Sequence, residues 1–489
     1  MAFARHLLIY GLGGAASRLA AILLVPLYTH ALPQTDYGRL ELLLAVHALA
    51  VLIVGVQGES ALARDWHEAL EQTWASQLAG GALAMVGIGS LAVAALAAAA
   101  WLSGAMPAGL ASYLPLVVLA AIPAQVLALQ LLILRFSGNA AVFAGFALLD
   151  LVAAALFSAG FILGAGYGIG GALLGIVAGK LTCAAVAWPL TFGRVGLSRP
   201  PREVLARMIG YAAPTLPSVF LNWLQSTGTR VILALLLTFV AVAVAGVAFK
   251  VAALYAFLAY SVRMAWEPIA FRMLADDALG PDAFRPAWSY YAVGMLLVAG
   301  LATAAAPIAV ALLTPPGYEA ALPLAGFFII GQFWSGALGI LTIGIHGARV
   351  TSRLTPVYLS GAILNVFAIA VLAPWFGAVA AGIGSCLGGF ASAVVALRLS
   401  EAHFPLRFGA RLIVTAAAAS AAIAVIGNTA FAGVERGGIT VAAMVAPMTA
   451  SAAAAVLLAG MTWLVGLTPR ERAEMGATLA TLAPGRRSA

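Results

Sequence analysis

The chain is built from long apolar runs separated by short polar breaks. The runs lack the two-residue alternation of barrel strands and are long enough to cross a bilayer as helices, the form in which a spanning segment satisfies its own backbone. About fourteen runs reach spanning length, over approximately 6–31, 40–63, 77–101, 113–134, 142–164, 168–192, 208–238, 241–262, 287–313, 321–346, 355–374, 376–397, 410–431 and 439–466. The breaks are short throughout, with no inserted soluble domain and no low-complexity tract. The expected fold class is an all-α polytopic membrane protein.

The basic residues divide unequally between alternate breaks. With the N-terminus inside, nineteen of the 25 Lys and Arg residues fall on the cytoplasmic side, and Arg39 and Arg436 alone fall opposite. The remaining four lie within runs. This is the positive-inside pattern, and it requires an even number of spans with both termini cytoplasmic. The break over 193–207 is the most basic and carries Pro200-Pro201, which separates six runs from the rest. Gly166 to Ala172 precedes the sixth run and Trp375 to Ala381 precedes the twelfth; each is an aromatic-glycine hairpin opening a small-residue helix. The implied organisation is an N-terminal lobe over 1–195, a second six-helix lobe over 196–405, an extra helix pair over 406–470 and a cytoplasmic tail over 471–489. Repeated halves in a transporter place the substrate site at their interface, near the bilayer midplane.

Composition sharpens this picture. Of 489 residues, 63% are hydrophobic and only 9% are charged, with a mean hydropathy of +1.05, which excludes a soluble globule. The net charge of +8 is spread over short loops and implies no nucleic-acid partner. Cys183 and Cys386 both fall in runs and form neither a disulfide framework nor a metal motif. The first run continues through Pro26 without a small-x-small cleavage site, so it reads as a retained span rather than a signal peptide.

The charges inside the runs are the candidate chemistry. Lys180 and Lys250 are the only lysines, and both are intramembrane, as are Arg18 and Arg230. Arg230 and Lys250 come about eight and nine residues from the outer ends of adjacent spans, hence at similar depth at 1.5 Å of rise per residue. Two such cations repel in a low dielectric, and a shared anion removes the penalty. A diphosphate suits, because arginine bonds phosphate through its planar fork and lysine acts as a point charge. The alternative is that each cation meets a carbonyl or snorkels to the interface. Asp150 and Lys180 sit at comparable depth in one hairpin, either as a structural ion pair or with Asp150 exchanging a proton or Na⁺. Glu41, His47 and Glu59 along the second run are ion-coupling or gate candidates, with packing and snorkelling as the alternatives. The polar stretch Asn222 to Arg230, with Asn222 and Gln225, reads as lining a wet cavity. Pro26, Pro214 and Pro217 are hinge candidates.

Several pieces together resemble the Wzx-type polysaccharide flippases. They are Gly11 to Ala20, Pro26-Leu-Tyr-Thr followed by Asp36-Tyr-Gly38, Asn222 to Arg230, Lys250 to Pro268 with Trp266-Glu-Pro268, and Gly317 to Pro323. The resemblance covers most of the chain and implies the multidrug/oligosaccharidyl-lipid/polysaccharide exporter fold, with two lobes in a V around a central cavity. It puts Arg18, Glu41, Arg230 and Lys250 on that cavity. Members often carry Asp-Arg in the seventh span; here the pair is Thr229-Arg230, so Arg230 is expected to lack a neighbouring counter-ion. The implied function is passage of an undecaprenyl-diphosphate-linked oligosaccharide from the inner to the outer leaflet of the bacterial cytoplasmic membrane. Membrane lipids, a polysaccharide polymerase and export machinery are the implied partners. No cofactor or metal is expected, and the acids leave H⁺ or Na⁺ coupling open. Other readings are a lipid II flippase, a drug/cation antiporter of the same fold, a membrane glycosyltransferase or polymerase, and a non-transporting scaffold. The short, nearly uncharged outer loops and the absence of a nucleophile–base pair argue against an enzyme.

Overall fold

A computed structural model describes residues 22–104, 108–137, 140–274, 280–348, 350–404, 408–437 and 441–482. Among these, thirteen helices are long and apolar enough to cross a membrane, and no strand occurs. They correspond in order to the second through fourteenth apolar runs. The first run lies largely outside the described residues, as does Arg18; its end forms α1 (Val25–Ala31). The chain divides into two compact units, Met1–Gly246 and Val247–Ala489.

In the first unit the second run is two helices, α2 (Gln34–Gly55) and α3 (Gly58–Glu71). They are separated by Val56 and Gln57, both in the left-handed region at φ 45° and 57°. That region is uncommon for residues with a Cβ, and for a β-branched one such as Val56 it is a strained outlier. α4 (Ala75–Leu102) presses Gly89 onto the Ile53 and Val54 carbonyls, where any Cβ would collide. α5 (Leu114–Phe136) then packs on α2, and α6 (Ala140–Ala159) pairs with α7 (Gly168–Ala187). Gly166 and Gly168 turn this last hairpin at positive φ, while Gly175 and Gly179 let α7 approach the backbone of Ser158 and Ala154. These are small-residue helix contacts of the membrane type.

The seventh run is broken repeatedly. It comprises α8 (Arg202–Ala212), a 3₁₀ turn Ala213–Thr215, α9 (Leu216–Ser226) and α10 (Thr229–Leu236). Pro214 lies in the 3₁₀ turn and Pro217 in the first turn of α9, where a missing N–H costs nothing. Pro26 occupies the same position in α1. The polar stretch singled out in the sequence therefore spans the end of α9 and the start of α10, with a break at Thr227 and Gly228 between them.

The unit boundary falls inside α11 (Phe239–Leu274), which opens in the first unit and continues into the second. The second unit adds α12 (Arg285–Leu313), α13 (Leu322–Leu341), α14 (Ile343–Gly347), α15 (Leu354–Phe376), α16 (Val379–His403), α17 (Ala410–Gly437), α18 (Val441–Met461) and α19 (Pro469–Leu482). Its core is aromatic: Trp334 meets Phe333 and Phe390 at centroid distances of 5.0 Å each. The Tyr291 hydroxyl donates to the Phe333 carbonyl at 2.6 Å, which satisfies a buried polar group. α15 and α16 form a hairpin turned by Gly377 at φ 53°. The last two spanning helices dock within this unit, α17 against α13 and α18 against α12. Gly300 of α12 leaves just enough room for Ala455 of α18.

Candidate functional site: a buried ion pair between the second and seventh runs

Glu41 sits on the second turn of α2 and is 1% exposed. Its Oε2 lies 3.0 Å from Nε of Arg230, which α10 carries one residue from its start. Both side chains are buried, at 2% and 10% exposure. Two glycines make the approach possible. Gly38 lies against the Phe239 backbone, and Gly246 on α11 lies against the Glu41 carboxylate; a Cβ at either would strike the neighbouring atoms. Trp223 on α9 donates from its indole N–H to the Ala45 carbonyl at 3.3 Å, a second tie between the seventh run and α2.

The expectation that Arg230 lacks a counter-ion is thus corrected. The residue beside Arg230 is Thr229, and the carboxylate comes instead from Glu41 on another helix. Sequence proximity could not reveal a partner supplied by tertiary packing. An unpaired guanidinium would be costly at this depth, and the pair offsets that cost.

Lys250 is 8% exposed and stands one turn beyond Gly246 on α11, in the second unit. Of the polar seventh-run residues, Asn222 is exposed and Gln225 partly buried; their backbone carbonyls accept the Ser226 and Thr229 hydroxyls at 2.8 and 3.3 Å.

Among the described residues of the first unit, the other candidates lie in three further places. Lys180 Nζ meets Asp150 Oδ2 at 2.6 Å across the α6–α7 hairpin, so these two form an ion pair. The second oxygen, Asp150 Oδ1, is buried and accepts no hydrogen bond among the described residues. His47 Nδ1 stands 3.4 Å from the Val117 carbonyl of α5, a packing contact between helices. Glu59, at the start of α3, accepts a 2.8 Å hydrogen bond from Nε2 of Gln125 on α5. The Gln125 amide itself rests on Gly55, where a Cβ would collide with it. Gln125 was not singled out from the sequence. The available signal was an amide two residues after Pro123 in an otherwise apolar run, and amides in spans are common enough that this says little alone.

Chemically, these groups can bind ions and exchange partners. The Arg230 guanidinium, here ion-paired with a carboxylate, is a group that pairs with phosphate oxygens as well. Among the described residues no three His, Cys, Asp or Glu side chains gather into a metal-sized cluster.

No protein-family model matches the sequence, and no curated protein matches it significantly. Solved structures do. The lipid II flippase MurJ, in an inward closed conformation, superposes with a TM-score of 0.63 at 10% identity, over 93% of this chain and 98% of that one. A MATE transporter in complex with MaL6 gives 0.60 at 16% identity, over 82% and 95%. The Vibrio cholerae MATE transporter VcmN, in a point-mutant form, gives 0.58 at 18% identity, over 83% and 98%. The chain has the MATE- and MurJ-like polytopic fold. The fold class expected from the apolar runs therefore holds.

Proposed function

We propose that the protein is a flippase that carries an undecaprenyl-diphosphate-linked oligosaccharide, a polysaccharide repeat unit, from the inner to the outer leaflet of the bacterial cytoplasmic membrane by alternating access. The observation that carries this reading is the burial of Arg230 and Lys250 at membrane depth. Ionisable groups inside a span are costly and mark substrate or ion paths, and a cation there can exchange its partner for a phosphate. Arg230 is held by Glu41 when no substrate is bound; the substrate diphosphate takes the place of that carboxylate, and protonation of Glu41 favours the exchange. Arg18, Asn222 and Gln225 join Arg230 and Lys250 as substrate-binding candidates. Pro26, Pro214 and Pro217 are the hinges. His47 and Glu59 are left for gating or for H⁺ or Na⁺ coupling, and the Asp150–Lys180 pair is read as a structural link. An inside-negative potential assists outward movement of anionic charge by about 2.3 kcal/mol per charge per 100 mV. We read it as a transporter, in keeping with the transporters and flippase whose fold it shares. Its partners are membrane lipids and a polymerase and export machinery that take up the flipped unit.

A second reading has a specific support. The lipid II flippase MurJ matches 93% of this chain in fold, so a peptidoglycan precursor, which is also a lipid-linked diphosphate glycan, is the alternative cargo. The drug/cation antiporters of the MATE fold are a third reading.

The test is reconstitution into liposomes with one glycan presented on a diphosphate lipid and on the matching neutral lipid alcohol. Leaflet transfer of the diphosphate form alone supports the reading. Equal transfer of both would remove the anion from the account.

A further inference from the structure

Beyond the ion pair, the second unit holds a polar cavity of about 310 Å³ near the end of α11. That size is at the lower end of small-molecule sites, about 300–1,000 Å³. Arg263 and Glu267 lie four residues apart on α11 and are joined by a 2.6 Å contact from the guanidinium Nε to Oε1. This is the one hydrogen bond Arg263 makes among the described residues, so the four N–H bonds on its terminal nitrogens are open to a ligand. Gly339 of α13 lies flat under the arginine stem, where a Cβ would strike Cγ and Cδ, and so keeps the fork in place. Tyr358 of α15 lines the same cavity with a hydroxyl that makes no hydrogen bond among the described residues. His346 of α14 completes it. Its Nδ1 lies 2.9 Å from the Thr342 carbonyl, an acceptor, so Nδ1 carries the proton and Nε2 presents a lone pair. The Phe271 ring packs edge-on against the imidazole at 6.2 Å and holds it.

The cavity thus offers donors, from Arg263 and Tyr358, beside acceptors, Glu267 and His346 Nε2. A simple anion on Arg263 would face the Glu267 carboxylate, which repels it. A ligand that carries its own cation removes this repulsion. We infer that the cavity binds a zwitterion of phosphate and primary ammonium, as in the headgroup of phosphatidylethanolamine. The phosphate accepts from Arg263 and Tyr358, and the ammonium donates to Glu267 and His346. The position suits a headgroup. α11 has 36 residues, far more than the roughly 20 a bilayer needs. Its first residue, Phe239, lies under the Arg39 guanidinium at 5.4 Å, a charged interface marker. Arg263 comes about 36 Å further along the axis at 1.5 Å per residue, past a hydrocarbon core of about 30 Å. The apolar groove on the other side of α11, lined by Trp266 and Ile269, is a separate cavity.

The experiment is native mass spectrometry of the purified, delipidated full chain titrated with phosphatidylethanolamine, phosphatidylglycerol and free glycerophosphoethanolamine. Wild type should retain phosphatidylethanolamine over phosphatidylglycerol by about tenfold, the worth of one charge-assisted contact. Arg263→Gln should abolish the preference, Tyr358→Phe should weaken it, and Glu267→Gln should reverse it toward phosphatidylglycerol. Binding of the lipid alone supports the site with a membrane lipid as its source. Equal binding of free glycerophosphoethanolamine supports it with a soluble source. Equal retention of the two lipids by wild type, or an unchanged preference in Tyr358→Phe and Glu267→Gln proteins that melt like wild type, overturns the inference.

Discussion

Arg230 on α10 and Glu41 on α2 meet at 3.0 Å with both side chains buried. Breaking such a pair from one side strands a charge, whereas removing both leaves a neutral, solvated-free gap. Glu41→Gln and Arg230→Gln are each expected to cost about 3–5 kcal/mol. The double variant should lose clearly less than the sum of the two. Melting of detergent-purified protein across the four-member cycle measures this, and strict additivity would mean the two groups do not interact.

The Asp150–Lys180 pair should behave as a structural link. Asp150→Asn alone leaves Lys180 without its partner and is expected to destabilise by about 3 kcal/mol. Adding Lys180→Met should recover much of that loss, and the double variant should keep leaflet transfer within about threefold of wild type, the change expected of a weakly disturbed transporter. If transfer in the double variant instead loses its dependence on an ion gradient, Asp150 is a coupling group and not a strut.

Gly55 makes the seat for the Gln125 amide that serves Glu59. Gly55→Ala should cost about 1–3 kcal/mol through overpacking and through loss of the Glu59 hydrogen bond. Gln125→Ala placed in the same chain relieves the collision, so the pair should be closer to the Gln125→Ala single variant than to the sum. A Gly55→Ala protein that melts like wild type would show that the amide moves aside freely.

Exposure separates the ion pairs that matter for stability from those that do not. Arg207 on α8 reaches Glu68 of α3 at 3.5 Å, with both side chains nearly half exposed. Glu68→Gln should therefore change stability by less than about 1 kcal/mol, and less again in high salt. A loss comparable to that of Glu41→Gln would require a network through the buried Asp65, which lies 4.0 Å from the same guanidinium nitrogen.

Much of the scaffold was legible because lipid leaves few options. A run such as 142–164 must be helical to satisfy its backbone, and it is one. The Asp150–Lys180 pair was legible for a similar reason: one antiparallel hairpin fixes the relative depth of its two arms. Glu41 as the partner of Arg230 was not legible. That contact depends on where the seventh run breaks and on the absence of a Cβ at Gly246, neither of which periodicity encodes. The split of the second run at Val56 and Gln57 was hidden too, since nothing in two ordinary side chains announces a left-handed backbone. The polar cavity of Arg263, Glu267, His346 and Tyr358 gathers residues from three helices, and only the tertiary fold assembles it.

The central claim is that buried cations hold the diphosphate of the cargo. The most direct measurement is leaflet transfer of a defined lipid-diphosphate glycan by proteoliposomes carrying Arg230→Gln together with Lys250→Gln, in the Glu41→Gln background so that no carboxylate is left buried opposite a neutral partner. Transfer should fall to the protein-free background while Glu41→Gln alone retains measurable transfer. Wild-type transfer by the folded triple variant would contradict the account.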